Sequence, residues 1–322
     1  MHQTIEDFIT TRELAGRNET ARSNRECLTQ FQAWLDRAGV VAPSATTDDL
    51  EAYQRYLADE YRTPAGLTLA LSTQSMRLSA VRSYYAWMER RGMIVANPAR
   101  PLRLPKSRGH TIVSSDYLTL QETTALLQTQ AARVQRYPDG CHRWAQEVRD
   151  LAFIAVAIAS GRRRGGLRHL QVADLDFQRN EVRCDREKGK PGRVLPVATW
   201  AMAVLRIYVK RARPVIVWQK DNGTLFTGDR TPRLGKPTIM KMLRRIHAET
   251  VAACPDLDEL PSKRLTPHGL RVTFATLLFA GGCNIRSINE LMMHDRLETT
   301  SRYTPITFEN LRRAVQAAHP RA

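Results

Sequence analysis

In residues 1–92 the apolar positions recur at helical rather than alternating spacing. Cys27, Leu28, Phe31 and Leu35 share one face of a half-buried helix and predict such a helix over 20–38. A shorter helix is predicted at Ile5-Glu-Asp-Phe-Ile. Thr47-Asp-Asp-Leu-Glu-Ala-Tyr opens a third, with Thr47 as N-cap and carboxylates in a first turn that favours negative charge. A fourth runs over 72–91. Leu78, Val81, Tyr85 and Met88 form its core stripe, Gln74, Arg77 and Arg82 lie off that stripe, and Gly92 stops it. On this pattern Tyr84, Tyr85 and Trp87 are core residues rather than rings offered to bases. Residues 97–109 carry three prolines and four basic side chains, which disfavour helix and predict a linker.

The pattern changes after residue 118. Thr119-Leu-Gln-Glu is a capping box opening a helix. Residues 130–147 are polar and predict an extended loop around Tyr137-Pro-Asp-Gly140, followed by an apolar helix over about 147–160. Short strands are predicted at 173–177, 181–185 and 193–197, with turns at 178–180 and 187–192. Helices return at about 198–212, 236–252, 267–280 and 285–293, the third opened by Thr266 and Pro267. A last amphipathic helix is predicted over 307–318, with Phe308, Leu311 and Val315 on one side. The fold class that follows is mainly α with a small antiparallel β-sheet. The predicted divisions are a helical N-terminal domain over 1–96, a linker over 97–114 and a second domain over 115–322.

Charge adds a partner class. The 322 residues carry a net +17 and a pI near 10.2, a balance suited to a polyanion. Residues 1–105 hold 13 Arg against 12 acidic residues, so nearly all the excess falls after them. Within that near-neutral part, residues 72–105 carry six arginines against Glu89 alone. A solvated basic surface without a ligand is the plainer reading of the charge by itself. The five cysteines (Cys27, Cys141, Cys184, Cys254, Cys283) form no Cys-x-x-Cys pair and read as free thiols in a reducing cytosol. No apolar run of about 18 residues and no signal peptide are visible, so no membrane association is expected. No acidic cluster, His/Cys ligand set or Gly-rich P-loop stands out, and no metal or other cofactor is expected.

Chemistry enters with three short stretches, Ser160-Gly-Arg-Arg163, His268-Gly-Leu-Arg271 and His294 to Tyr303. Two arginines, two histidines and a tyrosine are the parts needed to attack a phosphodiester. Guanidinium groups match the non-bridging oxygens with paired donors and stay charged at any working pH. A tyrosine hydroxyl becomes a nucleophile when a base or a positive field activates it. Arg162 and Arg164 flank Arg163, so the triplet alone could be a basic turn.

These stretches resemble the tyrosine recombinases (the phage-integrase family, its Xer-type members especially). Arg163 sits in a Gly-x-Arg frame after an apolar helix. Lys188, in Glu187-Lys-Gly-Lys-Pro-Gly-Arg-Val-Leu-Pro-Val197, is similar to the family's β-hairpin lysine, with Lys190 as its rival. His268-x-x-Arg271 is followed by Thr273-Phe-Ala-Thr-Leu, and His294 precedes Tyr303 by nine residues, as in that family. The resemblance implies that Arg163 and Arg271 clamp the scissile phosphate and that Lys188 protonates the leaving 5′-oxygen. It also implies acid–base work for His268, phosphate contact for His294 and nucleophilic attack by Tyr303, giving a 3′-phosphotyrosine. Two positions depart from the family's pattern. Gly166 stands where an acidic residue is usual, and Met293 where glycine is common before the histidine.

The resemblance further implies a two-domain DNA clamp. The second and fourth N-terminal helices would enter major grooves, bringing Arg77 and Arg82 to DNA, while Arg103, Lys106 and Arg108 on the linker would track the backbone. The implied partners are double-stranded DNA with inverted core arms and a homotetramer on two sites, with a second recombinase or accessory protein as a further possibility. The 307–318 helix would dock on a neighbouring protomer or pack on its own domain. The expected function is site-specific recombination through a Holliday junction, resolving or integrating a mobile element, in the cytoplasm at the nucleoid. Chromosome-dimer resolution, a topoisomerase-like nickase and an inactive DNA-binding accessory protein are the alternatives.

Overall fold

A computed structural model describes residues 3–16, 18–105, 116–184, 192–217 and 221–293. The chain divides into two compact units, Met1–His110 and Thr111–Ala322.

The first unit is helical: α1 (Gln3–Leu14), α2 (Asn18–Ala38), α3 (Thr47–Arg55) and α4 (Leu71–Arg90). Its core is built of rings. Phe8, Phe31, Tyr53, Tyr84 and Tyr85 are almost wholly buried. Phe31 meets Tyr53 edge-on at 4.8 Å between centroids, and Phe8 meets Tyr84 at 5.7 Å. Such offset and edge contacts suit the ring quadrupole and add to the apolar area buried. The expectation for Tyr84, Tyr85 and Trp87 holds, since all three are buried.

Two details of this unit differ from the sequence reading. The N-cap of α3 is Thr46, not Thr47. Thr46 Oγ1 accepts from the Asp49 amide and the Asp49 carboxylate accepts from the Thr46 amide, a capping box that only this register allows. Arg77 and Gln74 do not lie off the core stripe of α4, because both are buried. Arg82 is half-buried and Arg103 exposed. Gly92 ends α4 as expected, at a φ of +68° that L-residues avoid.

Residues 97–105 are laid against this unit rather than trailing from it. Ala99 and Leu102 are buried, Thr47 Oγ1 donates to the Pro98 carbonyl at 3.1 Å, and Gln54 Nε2 donates to the Arg103 carbonyl at 3.1 Å. Lys106 and Arg108 lie outside the described residues.

The second unit comprises α5 (Leu120–Val134), α6 (His142–Ser160), α7 (Arg164–His169), β1 (Leu175–Asp176), β2 (Glu181–Cys184), β3 (Arg193–Pro196), α8 (Thr199–Ile207), α9 (Arg213–Ile216), α10 (Lys236–Ala253), α11 (Pro267–Ala280) and α12 (Ile285–Leu291). The strands form an antiparallel sheet in the order β1-β2-β3, with Val182 opposite Leu175 and Leu195. The mainly α class with a small antiparallel sheet is therefore what the chain adopts. α6 is the central helix, with Phe153, Ile154, Ala155 and Val156 fully buried. Thr119 caps α5 through the expected box with Glu122.

The loop expected within 130–147 is confined to a turn over 135–141 that holds Tyr137-Pro-Asp-Gly140. α5 runs to Val134, a short turn follows, and α6 begins at His142. The polar residues that suggested a loop are instead paired inside the unit. Glu147, 1% exposed at its side chain, receives Arg133 at 3.0 Å, Arg143 at 2.9 Å, Arg245 at 3.0 Å and Gln130 Nε2 at 3.0 Å. Asp150 receives Arg149 and Arg245, each at 2.9 Å. Lys263 and Glu122 form a second buried pair at 2.8 Å. Pairing of this kind offsets part of the cost of taking these charges out of water.

Candidate active site

The site is built where the end of α6 meets α11. Gly161 closes α6 at a φ of +57°, in the left-handed region that a glycine adopts without strain. A Cβ on Gly161 would overlap the Phe274 ring of α11. This close approach places the next residues of the turn against α11. The turn buries Arg162 and leaves Arg163 exposed. Arg162 Nη1 contacts Cys184 Sγ at the end of β2, so the middle residue of the Ser-Gly-Arg-Arg stretch is committed to the interior. Arg163 is then the side chain of the pair that the turn offers outward.

α11 begins as its sequence predicts. Thr266 Oγ1 accepts from the Gly269 amide at 2.9 Å and Pro267 occupies the first turn. Thr273 secures the helix to the start of the unit, accepting from the Leu118 amide and donating to the Gly269 carbonyl, both at 2.9 Å. His268 and Arg271 lie three apart, hence on one side of the helix. His268 is exposed, whereas Arg271 is 3% exposed.

Arg271 joins three segments. Its Nη1 donates to the Gly161 carbonyl at 2.5 Å and its Nη2 to the Met292 carbonyl just past α12. One guanidinium thus ties the turn of Arg163, its own helix and the backbone two residues before His294. Five N–H donors belong to a guanidinium, so two carbonyls do not exhaust it. The joint leaves Met293 at a φ of +53°, a conformation that costs an L-residue about 1–2 kcal/mol. The backbone here suits glycine, which gives the family's usual residue at this position a physical reason.

The same arrangement sets the electrostatics of His268. Partial burial, then the charge of Arg271, then that of Arg163, hold its imidazole below the ordinary histidine value. Two cations near one ring disfavour a third charge, so at neutral pH the ring is a neutral acceptor or donor.

Of the residues expected from the sequence, Arg163, His268 and Arg271 are brought together. Lys188 and its rival Lys190, His294 and Tyr303 lie outside the described residues, as does the 307–318 helix. Gly166 lies buried within α7, and nothing described explains its place in a position that is usually acidic. Arg162, Phe274, Thr273 and Met292 were not singled out from the sequence for a supporting role. Only the Gly-x-Arg frame and the Thr-Phe-Ala-Thr stretch marked their neighbourhood. Among the described residues no group of His, Cys, Asp and Glu could hold a metal ion, and no helix is long and apolar enough to cross a membrane.

A family model described as the phage integrase family matches residues 117–310, and one for the phage integrase N-terminal SAM-like domain matches residues 5–92. The chain belongs to the phage integrase family. Its relatives in this family include a tyrosine recombinase XerC 2 of Ralstonia nicotianae, 30% identical over 94% of this chain and 81% of that protein. A tyrosine recombinase XerC of Mycobacterium bovis is 32% identical over 80% of each chain. Among solved structures, XerH bound to its difH substrate in a pre-cleavage complex has a TM-score of 0.63 at 16% identity, covering 93% of this chain and 79% of that one. The Tn1549 transposon integrase in complex with circular intermediate DNA has a TM-score of 0.62 at 18% identity, covering 97% and 98%. These likenesses establish the tyrosine-recombinase fold. As a member of this family the chain is a DNA strand-transferring enzyme.

Proposed function

We propose that the chain is a site-specific recombinase that breaks and rejoins duplex DNA through a 3′-phosphotyrosine. The observation that carries this reading is Arg271, which links the turn of Arg163 to the backbone before His294 and, after burial, adds to what lowers the His268 imidazole. Arg163 and Arg271 neutralise the non-bridging oxygens as the phosphorus becomes pentacoordinate. Tyr303 attacks phosphorus and loses its proton, with His268 as the acid–base partner. The 5′-oxygen leaves and takes a proton from Lys188. His294 contacts the phosphate. The free 5′-hydroxyl then attacks the phosphotyrosine of a partner strand, forming a Holliday junction and conserving the energy of the broken bond.

The working unit in this reading is a tetramer on two sites with inverted core arms, its two domains closed on DNA as a clamp. The biological task proposed is resolution or integration of a mobile element, for which the departures at Gly166 and Met293 from the housekeeping pattern are the support. Chromosome-dimer resolution is the second reading, favoured by relatives named tyrosine recombinase XerC at about 30% identity.

Plasmids carrying two copies of candidate sites test both levels. Excision or cointegrate resolution with sites flanking its own gene, in chelator, is the expected result. Recombination only at a chromosome-terminus site would favour the second reading. Relaxation of supercoils without exchange would point to a nickase and contradict the proposal.

A further inference from the structure

Most buried cations of the second unit have a strong acceptor. Arg149, Arg213 and Lys263 meet the carboxylates of Asp150, Asp221 and Glu122, and Arg271 meets two carbonyls. Arg162 differs. It is 5% exposed, its Nη1 donates to Cys184 Sγ, and its buried Nε has no hydrogen-bond partner. A thiol sulfur is a weak acceptor, so this contact offsets little of the cost of taking a guanidinium out of water. An apolar side chain of similar volume at this position would avoid that cost. Stability therefore does not account for the contact, and what it supplies is direction. Both of its ends are fixed. Cys184 closes β2 opposite Arg193 of β3, and its S–H faces the Val182 carbonyl at 3.7 Å. Arg162 follows Gly161, whose carbonyl accepts from Arg271 and whose missing Cβ admits the Phe274 ring.

We infer that Arg162 and Cys184 are a positioning pair that aims Arg163 at the site it shares with His268 and Arg271. Gly161 is pinned, but the two soft backbone dihedrals of Arg162 still separate it from Arg163. Holding the Arg162 side chain on the sheet removes that freedom. Arg163 is extended, at φ −63° and ψ 151°, and successive side chains of extended backbone point to opposite sides. With Arg162 drawn inward to the sulfur, Arg163 is turned outward. The run Arg162-Arg163-Arg164 offers more than one guanidinium to a phosphate, and the sulfur at the end of β2 selects the register. The role of Arg163 in this inference rests on the strand-transfer reading above; the tie between turn and sheet does not.

The test uses the full chain and two readouts. In the first, without DNA, the His268 ring proton is titrated by NMR. Arg163 is one of the charges that lower this ring, and Arg162 is not among them. Cys184→Ala should let Arg163 turn away, so the ring should titrate at higher pH, towards its value in Arg163→Gln. A loss of stability alone leaves the titration of the folded protein where it was. Cys184→Ser keeps an acceptor and should titrate close to the wild type. In the second, single-turnover cleavage of a nicked duplex is followed. Cys184→Ala should slow it by about 10²-fold, the scale of a misplacement of about 1 Å, with duplex affinity nearly unchanged. Cys184→Ser should keep most of the rate. Should Cys184→Ala fail to fold around its unpaired cation, Arg162→Met combined with Cys184→Ala removes cation and acceptor together, and both readouts should shift in the same directions. Wild-type titration and wild-type cleavage in either folded variant would show that Gly161 alone aims the turn, and would overturn the pair. A shifted titration in Cys184→Ala, with no cleavage of any duplex by the wild type, would uphold the tie and contradict the strand-transfer reading.

Discussion

The interiors of the two units are made of different material. The N-terminal unit is held by rings, with Phe8, Phe31, Tyr53, Tyr84 and Tyr85 buried and, among its described residues, no buried carboxylate. The catalytic unit, among its described residues, places Glu122, Glu147, Asp150, Arg149, Arg162, Arg271 and Lys263 inside. Ring packing is tolerant of proton concentration and salt. Buried ion pairs are costly to form and costly to break, but they fix side chains in direction. On the function proposed, the unit that would aim guanidinium groups at a phosphate is the one with directional contacts in its core.

Breaking the charged core gives the largest expected effect. Glu147→Ala leaves Arg133, Arg143 and Arg245 without their shared acceptor and should destabilise the catalytic unit by about 3–5 kcal/mol. Hydrogen exchange should register that loss in α5, α6 and α10 and leave α1 to α4 protected. The pH dependence carries the same contrast. Burial would raise the Glu147 carboxyl, but Gln130, Arg245 and Arg133 outweigh it and hold the group below the ordinary value. Its stabilisation is therefore present above the unfolded carboxylate range and is lost as pH falls through the depressed folded value. Asp150 has the opposite sign. Burial outweighs Arg149 and raises it, so ionisation of Asp150 opposes folding once pH exceeds the unfolded value. As pH falls through the depressed Glu147 value, protection of the catalytic unit should fall ahead of that of the ring-packed unit.

A change at the joint itself ranks next. Arg271→Lys keeps the charge but cannot donate to the Gly161 and Met292 carbonyls as a planar fork. Cleavage of a nicked duplex should slow by about 10²–10³-fold, the usual cost of losing one transition-state donor. Duplex affinity should change far less. Equal losses in both would show a merely structural residue.

The charges around His268 offer a finer test. Burial, Arg271 and Arg163 lower its imidazole, so cleavage should keep a neutral His268 to a pH below the ordinary histidine range. Arg163→Gln removes one of those charges, and the His268 ring proton followed by NMR should then titrate at higher pH than in the wild type. An unchanged titration would separate Arg163 from the site. The smallest effect concerns the strained residue past α12. Met293→Gly relieves a positive φ and adds chain entropy to the unfolded state, for a net gain of no more than about 1 kcal/mol. A loss of stability would mean that the Met293 side chain contributes packing worth more than the strain.

Much of this was legible in the chain because caps and periodicity are local. Thr119 with Glu122, Thr266 with Pro267, and Gly92 were read correctly from a few neighbouring residues. The charged core was not, because a polar residue paired across helices has the same letters as one in a loop. The loop within 130–147 was read as too long for that reason, and the partner that decides the matter, Arg245, lies about a hundred positions away. Arg77 was misplaced because the stripe of α4 is wider than a single apolar row, its rings closing over a guanidinium stem. The Gly-x-Arg frame selected Arg163 over Arg162, and the burial of Arg162 against Cys184 supplies the reason that spacing alone lacked. Met293 stood out only as a departure from a family pattern until its φ gave that pattern a cause.

The proposed function requires a tyrosine nucleophile served by the Arg163–His268–Arg271 cluster. The most direct measurement is covalent trapping on nicked duplexes from around the protein's own gene, in chelator, comparing wild type with Tyr303→Phe. An SDS-resistant protein–DNA adduct at the 3′-phosphate is expected with the wild type and none with the variant. An adduct that survives in Tyr303→Phe, or tight specific binding by the wild type that never yields one, would contradict the proposed function.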